Sequence, residues 1–132
     1  MVGFDQSQGA ARAKGMALSE IVVPVPVMLV RRRSGQMTGL YRIQVGETHH
    51  LVAETDYGHV GFPLFCPHKG ARLDVTGKVY PGVPAILCLA HGITYSLAYG
   101  TCIENLGAKG EDVGILRTFP AKRDGHKFII TL

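Results

Sequence analysis

Short apolar or alternating runs, separated by turn residues, make up most of the chain from residue 21 onward. Runs of this length that end at Gly, Pro or Asp are typical of β-strands. Strands do not alternate with helical segments, so a parallel α/β sheet is not expected. The chain is therefore predicted to be all-β. The expected strands are Val22–Val30, Tyr41–Val45, His50–Glu54, Val60–Phe65, Ala85–Leu87, Ile93–Leu97, Ile115–Phe119 and Lys127–Leu132.

Three segments between these runs carry the residues that tight turns need. They are Asp56-Tyr57-Gly58, Thr76-Gly77 and Asp124-Gly125. Each segment places a glycine where a positive φ costs little. We expect a hairpin turn at each of them.

The chain length allows one domain with its own core and no second large domain. It has 132 residues, of which 46% are hydrophobic, and its 17 glycines and 7 prolines fit a domain rich in turns. Residues 1–20 lack a clean amphipathic period and are predicted to form an N-terminal extension, with a short helix over Ala10–Leu18. Residues 21–132 are predicted to form the domain.

The basic excess is too small to indicate nucleic-acid binding. The chain has 14 Lys and Arg against 10 Asp and Glu, a formal net charge of +4, and it has no tryptophan. The longest basic run, Arg31–Arg33, has few aromatic residues near it that could stack on bases. We interpret this run as a solvated strand end.

The sequence also predicts a cytoplasmic protein without a membrane span. The most apolar window, Ile21–Val30, is ten residues long and includes two prolines. A membrane-spanning helix needs about 20 apolar residues. The first twenty residues show no hydrophobic stretch followed by a small-residue cleavage site. Three cysteines do not make the even disulfide set that is common in secreted domains.

Two stretches each contain one cysteine and one histidine, and each stretch follows a predicted strand. The first is Cys66-Pro67-His68-Lys69-Gly70, and the second is Cys88-Leu89-Ala90-His91-Gly92. The glycine after each histidine indicates a loop at the strand end. If the two loops face each other, one cysteine and one histidine from each loop form a four-ligand metal site.

Two thiolates and two imidazoles suit either a zinc ion or an iron–sulfur cluster. In zinc fingers the two cysteines commonly stand together in sequence, and so do the two histidines. Here each loop supplies one of each. This order favours a two-iron cluster in which one iron takes a cysteine from each loop and the other takes a histidine from each loop. A structural Cys2His2 zinc module is the alternative.

The remaining cysteine and histidines are not at ligand spacing. A lone cysteine such as Cys102 is more often a small buried hydrophobic residue than a ligand. His49, His50, His59 and His126 are expected at solvent-facing or turn positions.

The pattern C-x-H, then a gap, then C-x-x-H resembles the Rieske proteins. The resemblance covers the chain from about residue 22 to the C-terminus. It implies a small antiparallel β-sandwich or barrel with a two-loop cluster-binding subdomain. It also implies one 2Fe-2S cluster per chain, with Cys66 and Cys88 on one iron and His68 and His91 on the other. In the family these histidines bind through one ring nitrogen and expose the other.

Departures from the respiratory Rieske proteins imply a low reduction potential. Those proteins have an additional, disulfide-forming cysteine in each loop, where this chain has Ala71 and Ala90. They also have a serine that donates a hydrogen bond to a bridging sulfide, where this chain has Ile93, whereas Tyr95 is shared. Loss of such a donor lowers the potential.

Two charges in the first ligand loop, Lys69 and Arg72, are expected near the cluster. We interpret them as ordinary solvated loop charges. The alternative is a rim that steers an electron-transfer partner.

The resemblance implies a soluble Rieske-type ferredoxin that takes single electrons from a flavin reductase and passes them to an oxygenase. No substrate site is expected, because 132 residues leave no room for a mononuclear iron domain. The chain would then be an electron-transfer component of an oxidoreductase system. One alternative is a small Rieske subunit of a larger reductase, similar to the small subunits of nitrite reductases, whose partner is the large subunit. The other is the zinc module.

Overall fold

The computed structural model describes residues 20–25 and 40–132, which form ten strands and one short helix. Every strand pairing among these residues is antiparallel. The all-β prediction is therefore confirmed. The elements are β1 Glu20–Pro24, β2 Leu40–Val45, β3 Thr48–Thr55, β4 Gly58–Pro63, α1 Leu73–Thr76, β5 Gly77–Tyr80, β6 Ala85–Cys88, β7 Ile93–Ser96, β8 Cys102–Asn105, β9 Phe119–Asp124 and β10 Lys127–Thr131.

The strands form two sheets. The larger sheet has the order β1-β10-β9-β4-β3-β2, and its edge strands β1 and β2 contact each other, so the sheet curls into a barrel. The smaller sheet has the order β5-β6-β7-β8. This is the expected barrel with a separate subdomain. No helix in the described residues is long and apolar enough to cross a membrane.

Side-chain alternation along the strands divides the core in two. Alternate residues such as Tyr41, Ile43 and Phe128 point into the barrel and form one apolar cluster. The other cluster packs Leu51 and Phe62 of the barrel against the smaller sheet. Strand β3 supplies adjacent residues to both clusters, which explains why its sequence is continuously apolar there.

Most predicted strands lie within two residues of an observed strand at both ends. The hairpin turns at Gly58 and Gly125 are also confirmed, and both glycines have a positive φ, 116° and 61°. Strand β1 ends at Pro24, and the later part of the Val22–Val30 run lies outside the described residues. The predicted helix over Ala10–Leu18 and the basic run Arg31–Arg33 lie outside them too.

The predicted strand Ile115–Phe119 is wrong, because β9 begins only at Phe119. Ile115 is exposed and Leu116 is buried. The amide of Leu116 donates to the carbonyl of Gly100 at 2.8 Å. This segment is fixed by that contact with the β7–β8 turn and not by strand pairing.

The predicted hairpin turn at Thr76-Gly77 is also wrong. Gly77 has an extended φ of −78° and begins β5. A side chain at Gly77 would collide with the carbonyl of Leu73 and the side chain of Ile86. The glycine is therefore explained by close packing and not by a turn. Strands β5 and β8 and helix α1 lie outside the predicted elements. Unlike β6 and β7, which are equally short but almost entirely buried, β5 and β8 are mostly exposed or half-buried.

Two of the four other histidines are less exposed than predicted. The ring of His50 lies 5.4 Å from that of Phe119, and burial lowers the pKa of His50. His59 is half-buried, with Nε2 3.6 Å from a carboxylate oxygen of Glu54. His49 and His126 are exposed, as predicted.

We expect Gly61→Ala to destabilise the fold by about 1–3 kcal/mol, because a side chain there overlaps the ring of Phe119 in the neighbouring strand. Without this overlap the substitution would stabilise the protein, because alanine is better suited to a strand than glycine. Urea unfolding of the single and double variants with Phe119→Ala measures the coupling. An equal cost of Gly61→Ala in both backgrounds would contradict the prediction.

Candidate metal centre

The first ligand loop, residues 66–72, leaves β4 and folds back on itself. The amide of Cys66 donates to the carbonyl of Ala71 at 2.8 Å, and the amide of Gly70 donates to the carbonyl of Cys66 at 2.9 Å. Gly70 takes a φ of 74°, which a side chain would disfavour. The loop is thus a tight turn that holds His68 at its tip.

The second ligand loop, residues 88–92, connects β6 to β7 and repeats this geometry. The amide of Gly92 donates to the carbonyl of Cys88 at 2.9 Å, and Gly92 has a φ of 66°. In both loops the cysteine carbonyl therefore accepts from the glycine four residues later. The amide of Leu89 also donates to the carbonyl of Thr76 at the end of α1, which ties the second loop to the helix that follows the first loop.

The two cysteines lie close together in the apolar core between the sheets. Both are buried free thiols. Burial raises the pKa of Cys66, and the nearby Cys88 thiol acts in the same direction, while the backbone N–H of His68 opposes them. A bound metal ion deprotonates a coordinating thiol, so this pair is suited to metal binding.

Two hydroxyl groups lie near the thiols. The Tyr95 hydroxyl is 3.8 Å from Sγ of Cys66 and donates its hydrogen to the carbonyl of Val113 at 2.6 Å. The Thr76 hydroxyl is 3.7 Å from Sγ of Cys88. Ile93 is completely buried in the apolar cluster.

The two histidines also form a pair. Their ring centroids are 4.8 Å apart and the rings are nearly perpendicular. Nδ1 of His68 and Nδ1 of His91 are both buried, and neither has a hydrogen-bond partner in the described part of the chain. A buried nitrogen without a partner is costly, and a metal ion would satisfy each of these two.

The four sequence-predicted residues are thus brought together as a thiol pair and an imidazole pair. Among the described residues, no three His, Cys, Asp or Glu side chains are grouped around a single ion position. A 2Fe-2S cluster with two cysteines on one iron and two histidines on the other needs two such pairs. The donor set therefore fits this cluster.

A third segment, residues 105–114, covers both ligand loops and was not predicted from the sequence. The amide of Leu106 donates to the carbonyl of Gly92 at 2.9 Å, and Gly114 packs against Pro67. Three glycines in residues 107–114 are a signal of close backbone approach. No sequence signal marks Glu111, whose Oε1 lies 2.9 Å from Nε2 of His68.

This contact corrects the expectation that both histidines expose their outer nitrogen. The side chain of His68 is only 3% exposed and Glu111 lies over Nε2. The hydrogen bond with His68 lowers the pKa of Glu111.

Lys69 and Arg72 differ in their surroundings. Lys69 is exposed, and Nζ lies 3.8 Å from Oε1 of Glu111. Arg72 donates two hydrogen bonds to the buried carboxylate of Asp74, at 2.6 and 3.1 Å, and Arg42 of β2 donates a third at 3.3 Å. Asp74 therefore links Arg72 of the first ligand loop to Arg42 of the barrel. Cys102 is half-buried in β8, and its thiol donates to the carbonyl of Glu104.

Comparison with known proteins gives a family match. The model of the Rieske [2Fe-2S] domain matches residues 22–120. No curated protein matches the sequence.

Several solved structures share this fold. The ferredoxin of carbazole 1,9a-dioxygenase from Nocardioides aromaticivorans IC177 superposes with a TM-score of 0.61 at 17% identity, over 85% of this chain and 96% of that chain. The terminal oxygenase of carbazole 1,9a-dioxygenase from Novosphingobium sp. KA1 superposes with a TM-score of 0.64 at 18% identity. That match covers 84% of this chain but only 29% of the oxygenase chain.

The family match spans most of the chain and includes both ligand loops. The Rieske domain carries a 2Fe-2S cluster, which agrees with the paired donors and not with a zinc module. The chain belongs to the Rieske [2Fe-2S] domain family.

Proposed function

We propose that this protein is a Rieske-type ferredoxin that receives single electrons from a flavin reductase and passes them to an oxygenase. The observation that carries the proposal is the pairing of two buried thiols and two buried imidazole nitrogens at the tips of two loops. A cluster held there supplies reversible one-electron storage. The match over 96% of a dioxygenase ferredoxin supports the role of carrier.

The proposed ligands are Cys66 and Cys88 for one iron and His68 and His91 for the other. In each histidine the buried Nδ1, which lacks a partner among the described residues, would bind the iron, and the proton would then be on Nε2. The backbone turns at Gly70 and Gly92 hold the donors in place before the cluster binds. Leu89 and Leu106, both exposed, lie beside His91 and give a redox partner an apolar surface at this end of the molecule.

We further propose that residues 21–132 form the cluster-binding domain and residues 1–20 an extension. We also propose a cytoplasmic location. The free thiols of Cys66, Cys88 and Cys102 are typical of a reducing compartment.

One-electron transfer tests the function directly. The protein, purified without oxygen, should contain two irons and two sulfides per chain and take up one electron per chain from dithionite. Reduced by NADH through a flavin-dependent ferredoxin reductase, it should pass one electron per chain to cytochrome c, used here as the acceptor. A colourless protein with one zinc per chain would overturn the proposal.

The ligand assignment predicts different results for the three cysteines. Cys66→Ser and Cys88→Ser should lose the cluster, because serine oxygen is a poor replacement for a buried thiolate ligand. Cys102→Ser is the matched control and should keep iron, sulfide and visible absorption, since its thiol donates to the carbonyl of Glu104 in the same strand. Loss of the cluster in the control, with retention in Cys88→Ser, would show that the second loop is misassigned.

The reduction potential should lie at the lower end of the Rieske range, roughly −150 to 0 mV at neutral pH. Ile93 has no donor group in its side chain, and Tyr95 gives its hydrogen to Val113 and not to sulfur. Fewer hydrogen bonds to sulfur leave the negative charge of the reduced cluster less stabilised. Potentiometry at pH 7 measures this value, and a midpoint near +300 mV would contradict it.

A further inference from the structure

The two histidines of the site are in different surroundings at their outer edge. The carboxylate of Glu111 lies 2.9 Å from Nε2 of His68, and the His68 side chain is 3% exposed. In the described part of the chain, no side chain forms a hydrogen bond with His91. Residues 106 and 107 pack near His91, but through backbone contacts with Gly92 and the carbonyl of His91.

The proton position of His68 follows from its two nitrogens. Nδ1 is buried and lacks a hydrogen-bond partner among the described residues, whereas Nε2 lies against the carboxylate of Glu111, which can only accept a hydrogen bond. The proton is therefore on Nε2 and is donated to Glu111. A carboxylate acceptor at this distance forms a charge-assisted hydrogen bond, which fixes the ring and strengthens Nδ1 as an electron donor.

We propose that Glu111 is a positioning residue that makes the two histidines unequal. Its carboxylate holds His68 in orientation, and its negative charge disfavours the electron that the site accepts. This inference rests on the proposed assignment of His68 and His91 as iron ligands.

Lys69 weakens this effect without cancelling it. Nζ of Lys69 lies 3.8 Å from Oε1 of Glu111, farther than Nε2 of His68, and its side chain is 60% exposed. The Glu111 side chain is 48% exposed, so salt screens both charges over about 8–10 Å, but Glu111 also makes a direct hydrogen bond to His68, which Lys69 does not. Glu111 therefore has the larger influence on His68.

The variant Glu111→Gln separates charge from hydrogen bonding, because the amide oxygen still accepts from Nε2 while the negative charge is gone. Its reduction potential, measured at pH 7 on the cluster-loaded protein, should shift upward. A tenfold gain in the equilibrium constant for electron uptake corresponds to about 59 mV.

Glu111→Ala removes both the charge and the hydrogen-bond acceptor and should shift the potential upward as well. Lys69→Met should shift it downward, since the positive charge near Glu111 is lost.

The matched control is Glu104→Gln, which makes the same charge change at an exposed position in β8. Its potential should stay close to that of the unmodified protein. Pulsed electron paramagnetic resonance of the reduced, nitrogen-15-labelled protein gives a second readout. Two distinct histidine nitrogen couplings are expected in the unmodified protein, and they should become more alike in Glu111→Ala.

Potentials of Glu111→Gln and Glu111→Ala that equal the control, in proteins with two irons and two sulfides, would overturn this inference alone. An unmodified protein without iron and sulfide would overturn the proposed function and this inference with it. If Glu111→Ala loads poorly while Glu111→Gln loads normally and shifts upward, the positioning role is supported.

Discussion

The four side-chain atoms that we propose as cluster ligands are buried together in this protein with few hydrogen bonds to satisfy them. Each buried polar atom that lacks a partner costs about 1–3 kcal/mol. Both Nδ1 atoms of the histidine pair lack partners within the described residues. The thiols make long contacts with hydroxyl groups, and Cys66 also accepts from the backbone N–H of His68. The apolar packing around them maintains an arrangement that becomes favourable when the cluster is bound.

Three backbone segments maintain the arrangement of the buried cysteine and histidine side chains. In each ligand loop the cysteine carbonyl is bonded to a glycine with positive φ, so the loop cannot relax without breaking its own turn. The segment 105–114 closes over both loops, and Tyr95 of β7 anchors it through Val113. The smaller sheet, the two ligand loops and the segment 105–114 therefore set the positions of the four proposed ligands.

The connection between this subdomain and the barrel is partly ionic. Asp74 is buried and accepts hydrogen bonds from Arg72 of the first loop and Arg42 of the barrel. A buried carboxylate needs such partners, since an unpaired one would be far more costly than the pair. Arg72 therefore has a structural role as a partner of Asp74, whereas Lys69 is exposed beside Glu111.

The sequence by itself determined the fold class and singled out the four candidate residues of the site. Strand alternation and the turns at Gly58 and Gly125 are local, and the cysteine–histidine order in the two loops already indicated paired ligation. The tertiary structure alone decided which residue reaches His68. Glu111 is 43 residues from His68 in sequence. Its position depends on how the segment 105–114 packs over the loops, and no local pattern encodes that packing.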